Sequence, residues 1–195
     1  MKTFFDPIAH QYYLNDRPVP SVTQVLRAVL PGAAWSATQW HMDRGTAVHA
    51  CAALIAQGKQ FEHDPAIAGQ VAACRKFFAE VMPCVIDVEK QVFSECYQFA
   101  GTFDMTCLIN GKTTIVDWKS SLSPVADIQI GAYKLAGGIP GNGMVVALQD
   151  DGNYKTSGIV NLLRPTQEFL ACRSVYGIKQ RLGLIKSREE TTDGN

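Results

Sequence analysis

Apolar residues change their spacing several times along this chain, and each change marks an element. Gln11–Leu14 looks like a short strand, followed by a turn at Asn15-Asp16-Arg17 and an extended lead-in from Pro18 to Pro20. Ser21-Val22-Thr23-Gln24 has the form of a capping box and predicts a helix to Leu30, stopped before Pro31-Gly32. A second helix is expected from about Ser36 to Gln57, ending at Gly58, with Val48, Ala52 and Ile55 on one stripe. Pro65 opens a third, which runs through Val81 and buries Ile67, Val71, Cys74, Phe77 and Phe78.

Beyond Pro83 the period drops to two. Val85 to Ser94 reads as a strand with Asp87, Glu89 and Gln91 on one side and Val88, Lys90 and Val92 on the other. Phe99 to Ile109 is a second strand, and Asn110-Gly111 joins it to a third over Thr113 to Lys119, because both residues tolerate the positive φ of a tight turn. Asp117 and Lys119 are two apart and share a face, while Asp104 lies about as far from the turn as Asp117 does. A helix over Val125 to Ala136 puts Gln129 and Tyr133 on one face and ends at Gly137 to Gly141. Met144 to Leu148 predicts a buried strand, Asp150 to Asn153 a turn, and Tyr154 to Leu163 the return strand. The last helix, about Thr166 to Leu182, carries Phe169, Leu170, Val175 and Ile178 on its apolar side. The order predicts an α/β fold with a mixed central sheet flanked by helices.

At 195 residues the chain is expected to be one domain over 1–186, with a flexible polar tail over 187–195. Its parts are a helical region at about 20–82, the sheet at about 84–163 and the final helix. Eighteen basic residues balance eighteen acidic ones, so bulk charge alone would not hold this protein on nucleic acid. The six cysteines lack metal-site spacing and read as reduced, buried thiols. No segment resembles a signal peptide, and no apolar run approaches the ~18 residues of a membrane span. A soluble cytoplasmic protein is the expectation.

The chemistry centres on Asp104, Asp117 and Lys119. Paired carboxylates make a hard oxygen site for Mg²⁺ or Mn²⁺, and a neighbouring lysine can orient water or neutralise developing charge. Read alone, the same residues also describe a solvated hairpin. His49 is either a metal ligand or a boundary residue satisfied by one hydrogen bond. Arg44 either binds phosphate or caps a neighbouring element, and Glu89 either joins the site or faces solvent.

In order, Arg44-Gly45-Thr46-Ala47-Val48-His49, Glu89, Gly101-Thr102-Phe103-Asp104, Val116-Asp117-Trp118-Lys119-Ser120-Ser121 and Gln129-x-x-x-Tyr133 resemble the PD-(D/E)xK nuclease superfamily. The RecB-type exonuclease branch is most similar, including phage exonucleases and the mitochondrial genome-maintenance exonuclease. The resemblance covers residues 40–135 and implies a restriction-endonuclease-like fold. It implies that Asp104, Asp117 and His49 hold the metal, completed by the Trp118 backbone carbonyl. Lys119 would position the nucleophilic water, and Glu89 would support a second metal or order Lys119. Gln129, Tyr133 and Arg44 would support the site or touch DNA. The implied activity is Mg²⁺- or Mn²⁺-dependent exonuclease cleavage of single- or double-stranded DNA to 5′-phosphates, in phage recombination or DNA processing. A single-strand annealing or binding protein is the implied partner. A structure-selective endonuclease and an inactive nucleic-acid-binding module are the alternatives. Some members of the branch hold an iron–sulfur cluster through late cysteines; only Cys172 follows Lys119 here, so no cluster is expected.

Overall fold

The computed structural model describes residues 1–30 and 39–185. The chain begins with three short strands, β1 (Thr3–Asp6), β2 (Gln11–Leu14) and β3 (Arg17–Val19), paired antiparallel in that order. β1 goes beyond the sequence expectation, because Phe4-Phe5 is too short a run to announce a strand. Pairing with β2 supplies the reason it forms: Phe4 lies opposite Tyr13 and Phe5 opposite Tyr12.

Helix α1 (Val22–Val29) starts with both halves of the capping box, Gln24 N–H donating to Ser21 Oγ at 3.1 Å and Ser21 N–H to Gln24 Oε1 at 2.8 Å. Helix α2 spans Gln39–Ala56. The expected opening at Pro65 is a 3₁₀ turn, Pro65–Ile67, capped by Asp64 and leading into α3 (Ala68–Val81). The predicted stop at Pro31-Gly32, the helix start near Ser36 and the tail from Ser187 lie outside the described residues.

The rest of the fold is a five-stranded sheet with two helices. In sequence these are β4 (Cys84–Ser94), β5 (Phe99–Ile109), β6 (Lys112–Lys119), α4 (Pro124–Gly137), β7 (Asn142–Leu148), β8 (Tyr154–Thr156) and α5 (Leu163–Arg181). Spatial order follows sequence order, and every pair is antiparallel except β6 with β7, which α4 connects. This is the mixed sheet flanked by helices that the pattern predicts. The Asn110-Gly111 turn has φ of 50° and 73°, the left-handed region that its residue types favour.

Each face of the sheet carries its own core. Val25 and Leu26 of α1, Ile130 and Tyr133 of α4 and Phe169 of α5 pack with Phe103, Ile115 and Val145. On the other face Ala52 of α2 and Phe77 of α3 pack with Met105, Val116, Trp118 and Val146. The Trp118 ring is enclosed by Phe77 and Phe78, at centroid distances of 5.3 and 6.1 Å.

Four expectations are corrected. β8 ends at Thr156 rather than Leu163, because Gly158 takes a φ of 72° and the chain rejoins β7 only at the Gly143–Val160 bridge. The buried stripe of α5 is Pro165, Phe169, Cys172 and Tyr176, which leaves Val175 and Ile178 exposed. Cys84 and Cys96 are exposed, at the start of β4 and in the β4–β5 turn. The alternation of β4 is broken by a bulge between Val85 and Asp87 and by a left-handed Glu89, φ 49°, so Asp87 and Lys90 meet at 2.8 Å instead of facing apart. No helix among the described residues is long and apolar enough to cross a membrane.

Candidate active site

Three strands each contribute one acid to a single row. The pairs Val88–Met105 and Lys90–Phe103 place Glu89 of β4 opposite Asp104 of β5. The last β5–β6 pair, Met105–Val116, makes Asp104 and Asp117 the next to face each other. The regular ladder stops there, and the Asp104 carboxylate takes over: its Oδ2 accepts the Trp118 backbone N–H at 2.7 Å. Phe103 and Met105 would share a face on a regular strand, yet they belong to opposite cores. β5 therefore turns over at Asp104, and the carboxylate fills the fork that opens between β5 and β6.

Helix α2 brings His49 to the same point, with its Nδ1 3.0 Å from Asp104 Oδ1. Ligand atoms of His49, Glu89 and Asp104 all lie within 4.8 Å of one another. Asp117 adjoins this trio, and its Oδ2 is 2.6 Å from Lys119 Nζ. That oxygen is buried, and the Lys119 ammonium is the charge set against it. From α4, the buried Gln129 donates to Tyr133 Oη at 2.6 Å. The Tyr133 ring in turn occupies the space a Cβ on Gly101 would need, 2.7 Å from its Cε1. Thus the glycine of Gly101-Thr102-Phe103-Asp104 lets α4 close on β5.

Electrostatics follow from burying several acids together. Desolvation, reinforced by the charge of Asp104, pushes Glu89 up to about 7, although it is the most exposed of the three. Burial also raises Asp117, to about 6, against the opposing pull of Lys119. Asp104 ends below the usual carboxylate range: burial would raise it, but His49, Lys119 and the Trp118 N–H outweigh that. Burial would lower both His49 and Lys119, and the acids beside them turn both shifts upward. The phenol of Tyr133 is pushed well up by burial and then by Asp117.

The sequence-derived residues are therefore mostly gathered. His49, Glu89, Asp104, Asp117 and Lys119 converge, with Gln129 and Tyr133 behind them. The convergent trio holds Glu89 where the expected ligand set had Asp117. The Trp118 backbone meets the row through its N–H, which Asp104 accepts. Arg44 is placed with Asp150 in the β7–β8 turn, 2.5 Å away, and Gln70 of α3 joins the same carboxylate. The sequence reading missed Tyr12, whose hydroxyl lies 2.8 Å from that of Thr102. The only signal for it was that Gln11–Leu14 reads as a strand, which turns its two adjacent tyrosines to opposite faces.

The donors suit a hard divalent cation. They are carboxylate oxygens and one imidazole nitrogen, beside the buried Asp117 carboxylate that Lys119 faces.

No protein-family model matches the sequence, and no curated protein matches it. Among solved structures, similarity is found to SSO0001, at 14% identity and a TM-score of 0.39, over 57% of this chain and 57% of that one. LHK-Exo in complex with dAMP matches at 14% identity and a TM-score of 0.44, over 86% of this chain and 95% of that one. The alkaline exonuclease LHK-Exo from Laribacter hongkongensis matches at 14% identity and 0.41, over 84% and 92%.

Proposed function

We propose that this chain is a metal-dependent deoxyribonuclease, an exonuclease that hydrolyses phosphodiester bonds to leave 5′-phosphates. The observation that carries this reading is the row Glu89–Asp104–Asp117 with Lys119 Nζ 2.6 Å from its buried end and His49 Nδ1 3.0 Å from its middle. Three acids so close are costly to bury unless a cation shares them, and a phosphodiester is the substrate that such a cation and an amine attract together. His49, Glu89 and Asp104 would hold Mg²⁺ or Mn²⁺, with Asp117 adjoining. When bound, the cation eases deprotonation of water and offsets charge at phosphorus.

The chain's own groups supply the rest. Lys119, held by Asp117, orients the attacking water and neutralises charge as it builds on the phosphoryl oxygens. Asp104, fixed by the Trp118 N–H, keeps the imidazole of His49 turned inward. Gln129 and Tyr133 back the site from α4. Residues 1–186 would form one nuclease domain, acting on DNA in recombination or processing.

The test is incubation of end-labelled linear single- and double-stranded DNA, and of a closed circle, with Mg²⁺ or Mn²⁺ and with chelator. Metal-dependent shortening of linear DNA with intact circles supports the exonuclease. Nicked circles identify an endonuclease. DNA bound but uncut under every metal refutes the enzyme.

A further inference from the structure

The small N-terminal sheet is docked on β5 immediately ahead of Asp104. Ala100 N–H donates to Pro20 O at 3.1 Å, and Ser21 and Ala100 form a bridge. Tyr12, Leu14, Val19 and Ala100 make a separate apolar cluster with Phe5 and Phe93. Tyr12 is 3% exposed, and its ring is held by Phe5 at 4.5 Å and Phe93 at 5.9 Å between centroids. With the ring fixed, its hydroxyl is set 2.8 Å from Thr102 Oγ1.

Thr102 occupies a telling position. It lies two residues before Asp104 on the same strand, opposite Gln91, which is two residues beyond Glu89 on β4. The hydroxyl pair therefore adjoins the acid row where β5 turns over and leaves its ladder with β6. Burial raises the Tyr12 phenol, Thr102 lowers it, and the charge of Glu89 raises it further, so the acid is near enough to act on it. A phenylalanine would satisfy the apolar cluster equally well. The Tyr12 hydroxyl, on a buried ring, is instead matched by the half-buried Thr102, a pairing that packing alone does not require.

We infer that Tyr12 is a positioning residue: through Thr102 it holds β5 in register at Asp104, and so sets the geometry in which Asp104 and Glu89 meet a divalent cation. This rests on the metal-site reading above. Groups that orient ligands in this way typically change metal affinity by about 10–100-fold when removed.

The experiment measures Mn²⁺ affinity by calorimetry and unfolding by thermal denaturation, on the full chain, for wild type, Tyr12→Phe, Thr102→Val, their combination and Thr102→Ser. Each of the first two variants should bind Mn²⁺ roughly tenfold more weakly. The combination should be no weaker than either alone, because the two hydroxyls act as one unit. Thr102→Ser, which restores the hydroxyl, should stay near wild type. Affinity within about twofold of wild type in Tyr12→Phe and Thr102→Val, whatever their thermal stability, overturns the inference while leaving the metal site standing. If wild type itself takes up no Mn²⁺, the metal-site reading fails and this inference falls with it.

Discussion

Asp104 Oδ2 accepts the backbone N–H of Trp118 at 2.7 Å, at the first position where β5 and β6 no longer pair by backbone alone. One side chain thus does two jobs: it finishes a strand pairing and presents its other oxygen to His49.

Separating those jobs is the first test. Asp104→Ala leaves the buried Trp118 N–H without an acceptor and should destabilise the protein by about 1–3 kcal/mol. Asp104→Asn keeps an oxygen there and should lose less. Both should abolish tight Mn²⁺ binding. Urea unfolding curves and calorimetry on the two variants check the order. The lowered Asp104 carboxyl stabilises the fold above its unfolded pKa, and that stability is lost as pH falls through the folded value.

Metal affinity should rise with pH. Protons on Glu89, held up to about 7, and on Asp117, held up to about 6, compete with the cation. Going from pH 6 to pH 8 frees both, a gain of roughly 20-fold in Mn²⁺ affinity if both must be ionised. The sign for the metal-free fold is opposite. A raised carboxyl contributes stability that is fully present below its unfolded value, 3.8 for Asp117 and 4.5 for Glu89, and is lost as pH rises from there through the folded value, about 6 and about 7 respectively. Thermal melts with and without Mn²⁺ should therefore diverge most at pH 8.

Lys119→Ala should reduce cleavage by about 10²–10³-fold or more while largely sparing Mn²⁺ binding. Asp117→Ala should lose both. Single-turnover cleavage alongside calorimetry distinguishes them; a lysine variant that no longer binds the ion would contradict the assigned role.

Gly101→Ala adds a methyl group against the Tyr133 ring. It should cost about 1–3 kcal/mol through overpacking and slow cleavage by moving α4, although it removes no ligand. Tyr133→Ala in the same chain should relieve part of that cost, a non-additivity measurable by denaturation.

Much of the site was legible because its information is local. Asn110-Gly111 fixes the register that sets Asp104 against Asp117, and two-residue spacing puts Lys119 beside Asp117. A four-residue step on α4 does the same for Gln129 and Tyr133. What escaped depends on distant partners or broken periods. β1 exists through pairing with β2, and the contact of Tyr12 with Thr102 joins residues 90 apart. Alternation also assigned Lys90 and Asp87 to opposite sides of β4, since nothing local announces the bulge. On α5 the pattern pointed to a side with Val175 and Ile178, and packing against α1 and α4 chose the one through Phe169 and Tyr176.

The acids come from three strands, and the imidazole comes from a helix that precedes them all. Local stretches of nascent or denatured polypeptide do not gather these groups, so an ion held by them would discriminate sharply between the native conformation and the unfolded chain. Saturating Mn²⁺ should accordingly protect the chain from proteases that cleave through global unfolding, without altering cuts at frayed ends.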